Sequence, residues 1–139
     1  MIDFLDVINI NGINYVEISE EAVPEIEPRK YYINIHGRVY DKERNIFLPQ
    51  LFNSDTGYYS VSLKIRTKLY RHCLVHRLMM ITFNYIPNYK VLQVDHINCI
   101  KTDNYMSNFE WVTLEENNRR ANENGLILKG DDCPLVYIK

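Results

Sequence analysis

Residues 92–120 read LQVDHINCIKTDNYMSNFEWVTLEENNRR, and this stretch decides how the second half of the chain folds. Leu92–Val94 is a short apolar run that leads into Asp95 and predicts a strand. Phe109–Val112 is aromatic and β-branched, so it predicts a partner strand on the far side of a polar loop. We therefore expect two short strands joined by a polar loop of about a dozen residues.

The residues after the second strand carry the start and stop signals of a helix. Thr113 followed three residues later by Glu116 is a capping box, with Thr113 as the N-cap. The helix is predicted to end at Asn124, because Gly125 is the residue type that most often follows a helix C-terminus. The order strand, loop, strand, helix predicts a compact unit.

Polar residues able to do chemistry are concentrated in this unit. Asp95 and His96 end the first strand, Asn108 precedes the second, and Asn117 lies one turn into the helix. Because the helix should pack across the two strands, we expect Asn117 to lie near Asp95 and His96. A carboxylate and an amide oxygen that converge form a site that suits Mg²⁺, with Mn²⁺ as a substitute. A neighbouring imidazole, which titrates near neutrality, is suited to take a proton from water.

Upstream, short aromatic and β-branched runs at strand spacing predict an antiparallel β module over residues 31–74. The runs are Tyr31–Ile35, Val39–Asp41, Ile46–Leu51, Tyr58–Lys64 and Leu69–Leu74. Apolar residues from Val75 to Phe83 then recur at helical spacing, and Pro87 stops that pattern.

The first thirty residues predict a hairpin and an acidic linker. Asn11-Gly12 is a pair favoured in type I′ turns and separates Val7–Ile10 from Ile13–Val16. Glu20–Pro28 is acidic, contains two prolines and predicts an irregular loop. We divide the chain into a hairpin and linker (1–30), a β module (31–74), a strand–loop–strand–helix unit with its preceding helix (75–125) and a tail (126–139). The predicted fold class is α+β.

The formal charge is −2, but its distribution is uneven. Residues 1–30 hold seven acids against two bases, whereas residues 64–101 hold seven Lys and Arg against Asp95 alone. The basic segment could face an anion while the acidic one is repelled or bound elsewhere. An ordinary variation of surface charge would give the same division.

Neither a membrane span nor a secretory signal is predicted. No run of eighteen apolar residues is present, and residues 1–20 lack a basic segment followed by an apolar one. We therefore expect no membrane partner and a cytoplasmic location.

Several short motifs, in order and spacing, resemble the HNH endonucleases of phage and intron origin, which include homing endonucleases. The likeness covers about residues 31–124 and is carried by Val75-His76-Arg77-Leu78, Pro87-Asn88, Val94-Asp95-His96-Ile97-Asn98, Lys101-Thr102-Asp103-Asn104, Asn108-Phe109-Glu110-Trp111-Val112-Thr113 and Glu116-Asn117. It implies a ββα-metal (His-Me) finger preceded by a small antiparallel β module, in a protein made in the host cell of a phage or virus.

The resemblance also implies residue roles and a reaction. His96 becomes the general base, Asp95 and Asn117 become the metal ligands, and Asn108 braces the loop and orients His96 through backbone contacts. The implied reaction is Mg²⁺-dependent hydrolysis of a DNA phosphodiester to 5′-phosphate and 3′-hydroxyl ends. One finger supplies one active site, so a monomer would nick one strand and a homodimer could cut both.

Basic residues in two groups are candidates for contacts to DNA phosphates. The first group flanks the predicted site or lies on the preceding helix: Arg77, Lys101, Arg119 and Arg120. The second group alternates along two predicted strands: Lys64, Arg66, Lys68 and Arg71. A solvated sheet face would account equally well for the second group.

One departure from the family pattern leaves two alternatives open. The loop after the catalytic His in the family reads Asp-Gly-Asn, whereas this chain has Asn98-Cys99-Ile100, which puts a side chain where φ > 0 is expected, at roughly 1 kcal/mol. A catalytically weakened HNH-fold module that only binds DNA is therefore one alternative. The other is an interaction protein in which residues 1–30 bind a partner or cover the basic segment.

Overall fold

The predicted N-terminal hairpin forms around Asn11 and Gly12, whose φ angles of 52° and 85° are both positive. Strand β1 (Val7–Ile10) pairs antiparallel with β2 (Ile13–Glu17). In this computed structural model residues 5–123 are described, with side chains for 5–119, and the chain divides into two units between Tyr85 and Ile86. We call residues 5–85 the β unit and residues 86–123 the finger.

The β unit contains two antiparallel sheets and one helix. The first sheet has the order β1-β2-β3-β4-β5, with β3 (Tyr31–Ile33), β4 (Val39–Asp41) and β5 (Ile46–Phe47). The second has the order β6-β7-β8, with β6 (Leu51–Phe52), β7 (Tyr59–Lys64) and β8 (Tyr70–Leu74). Helix α1 (Val75–Phe83) follows β8 and packs on β7 and β8.

The strands of residues 31–74 follow the predicted runs, except that Ile46–Leu51, predicted as one strand, is interrupted between β5 and β6. The division of the strands between two sheets was not predicted. The hairpin joins the first sheet, because Val16 of β2 pairs with Ile33 of β3. Between β5 and β6 lies Pro49, which has no N–H to donate to a ladder. A strand pattern predicts which residues are extended, whereas the choice of partner depends on contacts distant in sequence.

The acidic segment 20–28 is irregular, as predicted, but it is packed against the β unit. Val23 and Ile26 are buried, and Ile26 forms an isolated β-bridge with Ile65. The core beneath includes Tyr32, Val61 and other fully buried side chains. This segment therefore contributes to the core of the β unit.

The finger has the predicted strand–loop–strand–helix order. Two single-turn 3₁₀ helices, Tyr89–Val91 and Met106–Asn108, precede its strands β9 (Gln93–His96) and β10 (Phe109–Val112). Helix α2 (Leu114–Glu123) contacts β9. The α+β fold class is confirmed. Whether the four regions predicted from the sequence are separate domains stays a prediction.

The predicted N-cap of α2 is confirmed, because the Glu116 backbone N–H donates to the Thr113 hydroxyl at 3.0 Å. The predicted helix end at Asn124 and Gly125, and the tail 126–139, lie outside the described residues. No helix in the described part of the chain has the length and apolarity to cross a membrane.

Candidate active site

Asp95 and His96 are the last two residues of β9, and strand alternation directs them to different faces. Asp95 pairs in register with Glu110 of β10, and His96 pairs with Phe109. Residues directly opposite each other share a face of the hairpin. Asp95 therefore lies on the face of Gln93 and Glu110, while His96 lies on the other face at the strand end.

His96 is held in a defined orientation. Its side chain is buried, and its ring meets the Phe109 ring edge-on, with centroids 5.1 Å apart and planes at 85°. Its Nε2 atom lies 3.0 Å from Asn104 Oδ1. Because a carboxamide oxygen can only accept a hydrogen bond, Nε2 is the donor and carries the proton. Nδ1 is then the unprotonated nitrogen.

The surroundings of His96 keep its imidazole neutral more readily than in water. Burial is the main cause and lowers the pKa of His96 from its ordinary value of 6.5. The hydrogen bond with Asn104 and the charges of Asp95 and Asp103 oppose this lowering. A general base must be unprotonated to act, so the direction of the pKa shift suits that role.

Asn108 braces the loop that follows His96. Its side chain is buried, its Oδ1 accepts from the Asn98 backbone N–H at 2.9 Å, and its Nδ2 donates to the Asp103 carbonyl at 2.9 Å. Its backbone carbonyl also accepts from the Ile97 N–H at 2.8 Å. These bonds tie both sides of the loop together beside His96, which is the arrangement expected of a bracing residue.

Asn117 contacts the same face of β9 on which Asp95 lies. Its Nδ2 donates to Gln93 Oε1 at 2.8 Å, and Gln93 is two residues before Asp95 on the strand. Because Nδ2 is used in this bond, Oδ1 is the atom of Asn117 that can bind a metal ion. The structure thus brings Asn117 to the Asp95 face of β9, whereas His96 lies on the other face.

The donor set on this face fits a hard divalent cation. It combines the Asp95 carboxylate with an amide oxygen, and Glu110 adds a second carboxylate directly across the hairpin. Among the described residues no group of three or more His, Cys, Asp or Glu is arranged to hold a metal. Such a sparse set suits an ion that keeps waters and takes substrate oxygens.

The loop after His96 adopts the backbone conformation that the family pattern implies. Cys99 has a φ of 67°, in the left-handed region, at the position where the family has Gly. Its backbone N–H donates to the His96 carbonyl at 2.7 Å. The turn is therefore kept with a side chain present.

The basic residues nearest the predicted site in sequence differ in their surroundings. Lys101 is half-buried in the loop after β9. Arg119 is exposed on α2 and forms an ion pair with Glu116 at 2.5 Å. Arg77 is half-buried on α1, and the side chain of Arg120 lies outside the described residues.

The four basic residues near the β7–β8 turn do not form a single-faced ribbon. Arg71 pairs with Leu63, so it shares the face of Leu63, whereas the next residue, Lys64, projects from the opposite face. Arg66 forms an ion pair with Glu20 at 3.0 Å, and Lys68 lies in the turn with a φ of 71°.

Two residues of the site were not predicted. Asn104 belongs to a motif quoted above, but nothing in its spacing indicates a contact with His96 eight residues away. Gln93 had one available signal, since it lies two residues before Asp95 and therefore on the same strand face.

Comparisons with known proteins bear on the family and the fold of the chain. The profile of the HNH endonuclease family matches residues 73–119. The uncharacterized HNH endonucleases L247 and L245 of Acanthamoeba polyphaga mimivirus are 38% identical over 100 residues and 31% identical over 98 residues. The matches cover 70% of this chain in both cases, but only 24% of L247 and 29% of L245. The chain thus spans about a quarter of the length of these curated relatives.

A solved structure concerning DNA binding and cleavage by the HNH homing endonuclease I-HmuI has a similar fold. Its TM-score is 0.64 at 24% identity, over 89% of this chain and 62% of that one. The fold is therefore that of an HNH nuclease. Residues 73–119 are similar to the HNH endonuclease family, whose nucleases generally use a divalent metal ion.

Proposed function

We propose that this chain is a Mg²⁺-dependent DNA endonuclease that leaves 5′-phosphate and 3′-hydroxyl ends. The observation that carries the proposal is the buried His96, fixed by Asn104 at the end of β9 and consecutive with Asp95. Asp95 and His96 project from different faces but from the same end of β9, so a phosphodiester placed at that end, beyond the hairpin, could meet both residues.

Each residue of the finger has a distinct task in this reaction. His96 takes a proton from the attacking water at Nδ1, while Asn104 accepts the hydrogen bond from the protonated Nε2. Asn108 keeps the loop closed, so that the imidazole does not have to be reordered when DNA binds. Asp95 and Asn117 would hold the metal, which when bound stabilises the charge of the phosphate and of the leaving 3′ oxygen.

Phosphate contacts would position the DNA without reading its sequence. Lys101 and Arg119 are the candidates within the finger, joined by Arg120. The β unit offers Lys64, Arg66, Lys68, Arg71 and Arg77. Arg66 and Arg119 would have to exchange their glutamate partners for phosphate. Binding through such contacts should weaken steeply as salt concentration rises.

We further propose that a monomer nicks one strand and that cutting both strands requires a homodimer or a second encounter. The two mimivirus relatives favour a setting in the cytoplasm of a virus-infected cell.

A plasmid-nicking assay tests the proposal. Supercoiled plasmid should be nicked with Mg²⁺ or Mn²⁺ and remain intact with EDTA. His96→Ala should slow nicking by about 10²- to 10⁴-fold, which is the usual contribution of a general base. His72→Ala is the matched control, because His72 is exposed on β8 and its Nδ1 lies 2.9 Å from the Ser62 hydroxyl. Full activity of His96→Ala would refute the assignment.

A DNA-binding module without catalysis is the second candidate, motivated by Asn98-Cys99-Ile100, which departs from the family's loop sequence. It requires measurable duplex binding at low salt with no cleavage by the wild-type chain under Mg²⁺ or Mn²⁺. Cleavage that His96→Ala abolishes would exclude it.

A further inference from the structure

The side chains of Gln93 and Asn117 join β9 to α2 across 24 residues of sequence. Gln93 Oε1 accepts from Asn117 Nδ2 at 2.8 Å, which is close to the preferred N–H···O distance, and both side chains are half-buried. We propose that Gln93 is a positioning residue, which fixes the Asn117 amide so that its oxygen faces the divalent cation. This inference rests on the proposed function.

The chemistry of the amide gives the bond its consequence. A carboxamide has an oxygen that can bind a cation and an NH₂ group that cannot, and its terminal torsion has two broad orientations about 180° apart. Without an acceptor for the NH₂ group, the two orientations of Asn117 would differ little in energy. Gln93 supplies that acceptor and thereby selects the orientation in which Oδ1 is presented.

Strand geometry gives the bond its place. Gln93 and Asp95 lie on the same face of β9, with Cα atoms separated by about 6.6 Å along the strand. Asn117 is therefore oriented by a residue that lies on the same strand face as the Asp95 carboxylate. The amide oxygen of Gln93 is used in this bond, so Gln93 acts on the proposed metal site through Asn117.

A purely structural tie between β9 and α2 is the competing explanation. Both explanations predict a loss of stability when Gln93 is changed, but only the positioning role predicts a loss of metal affinity that depends on Asn117. Metal binding without DNA is therefore the decisive readout.

The experiment measures Mn²⁺ binding to the full chain by calorimetry in the absence of DNA. Gln93→Met keeps the side-chain length and removes the acceptor, so it should weaken Mn²⁺ binding by about 10-fold, as changes in residues that orient metal ligands usually do. Gln93→Glu keeps an acceptor and should restore the affinity. In an Asn117→Ala background, Gln93→Met should have no further effect.

Controls separate this result from a folding defect. Gln50→Met is the matched substitution in the β unit, where Gln50 Nε2 donates to the Gly37 carbonyl at 2.7 Å, and it should leave Mn²⁺ affinity unchanged. Thermal unfolding of each variant checks the fold. If Gln93→Met does not fold, Gln93→Asn, whose oxygen is one methylene short of Asn117, replaces it with the same expected loss.

Three outcomes would overturn the inference. They are an affinity of Gln93→Met within twofold of wild type, an equal loss in the Asn117→Ala background, or no Mn²⁺ binding by the wild-type chain. The proposed function is judged separately by the nicking assay. Cleavage that depends on His96 together with unchanged Mn²⁺ binding in Gln93→Met would reject only the role of Gln93.

Discussion

The β unit and the finger both bury asparagine side chains, but they use them for different ends. In the β unit, buried Asn34 closes a turn, because its Oδ1 accepts from the His36 and Arg38 backbone N–H groups at 2.9 Å each. In the finger, buried Asn108 also closes a loop through backbone groups, but that loop begins at His96. The same kind of hydrogen bond closes a turn in one unit and orders the loop that follows His96 in the other.

The difference teaches where to look for function in a small protein. Buried polar groups are almost always hydrogen-bonded, so burial and bonding alone do not identify a site. What distinguishes the finger is that its bonded amides converge on a titratable ring and on the strand face of a carboxylate. Substitutions of matched residues in the two units can test this distinction.

The largest difference is expected between Asn108→Ala and Asn34→Ala. Each change leaves backbone groups without their partner and should cost about 1–3 kcal/mol of stability. Cleavage per folded molecule should fall about 100-fold in Asn108→Ala. A displaced loop would move His96 by about 1 Å from its reactive position, and a shift of that size can cost this much in rate. Nicking rates corrected for the folded fraction from thermal unfolding measure the effect. Equal rates for the two variants would remove the functional contrast between the units.

A smaller effect is expected from Asn104→Ala, which removes the acceptor at His96 Nε2. The imidazole then loses the bond that selects its tautomer. We expect the nicking rate to fall about 10-fold, which is the size of effect seen when residues that orient active-site groups are removed. Ser62→Ala, which removes the hydroxyl beside His72 in the β unit, is the matched control. Single-turnover kinetics should separate the two, and a wild-type rate for Asn104→Ala would argue against a role in orienting His96.

Residues with positive φ offer a third contrast, because the same kind of position holds a glycine in the β unit and a cysteine in the finger. Gly12 has a φ of 85° with no atom within 4 Å of an added Cβ, so Gly12→Ala should destabilise through backbone strain alone, by about 1 kcal/mol. Cys99 already carries a side chain at positive φ, so Cys99→Gly should be more stable than Cys99→Ala by up to about 1 kcal/mol. Chemical denaturation measures both. A less stable Gly variant would mean that the Cys99 loop is not strained.

The smallest effect concerns the β unit alone and depends on pH. Tyr32 donates to the Asp6 carboxylate at 2.6 Å, and this bond holds the pKa of Asp6 below its ordinary value. A carboxyl whose folded pKa is depressed adds stability above its unfolded pKa of about 3.9, and this contribution is lost as pH falls through the folded pKa.

Tyr32→Phe should therefore lower the melting temperature at neutral pH, and the difference from wild type should shrink below about pH 4. Melting curves from pH 2 to 7 check the trend, and a difference that stays constant with pH would show that packing alone is responsible. Cleavage should be unaffected, since the pair lies in the β unit.

Much of the local structure could be predicted because its signals come from neighbouring residues. The Asn11-Gly12 turn, the Thr113 N-cap and the two strands of the finger each depend on neighbouring residues, and each is confirmed. The positive φ at Cys99 was also anticipated from the missing family glycine. The roles of Asp95 and Asn117 as metal ligands stay predictions.

Contacts between residues distant in sequence could not be predicted in the same way. Three such features depend on strand pairing and register. They are the pairing of the N-terminal hairpin with the first sheet, the ion pair of Arg66 with Glu20, and the placement of Lys64 and Arg71 on opposite faces. A one-residue change of register moves every side chain to the other face, and sequence pattern alone does not fix it.

The sequence by itself determined the family, the order of the finger's elements and the residues able to act as base and ligands, because these depend on residue type and spacing. Only the tertiary structure decided which nitrogen of His96 carries the proton and which end of the Asn117 amide is presented. Both choices are made by single hydrogen bonds, which Asn104 and Gln93 accept, and a hydrogen bond forms only where folding brings donor and acceptor within about 3 Å.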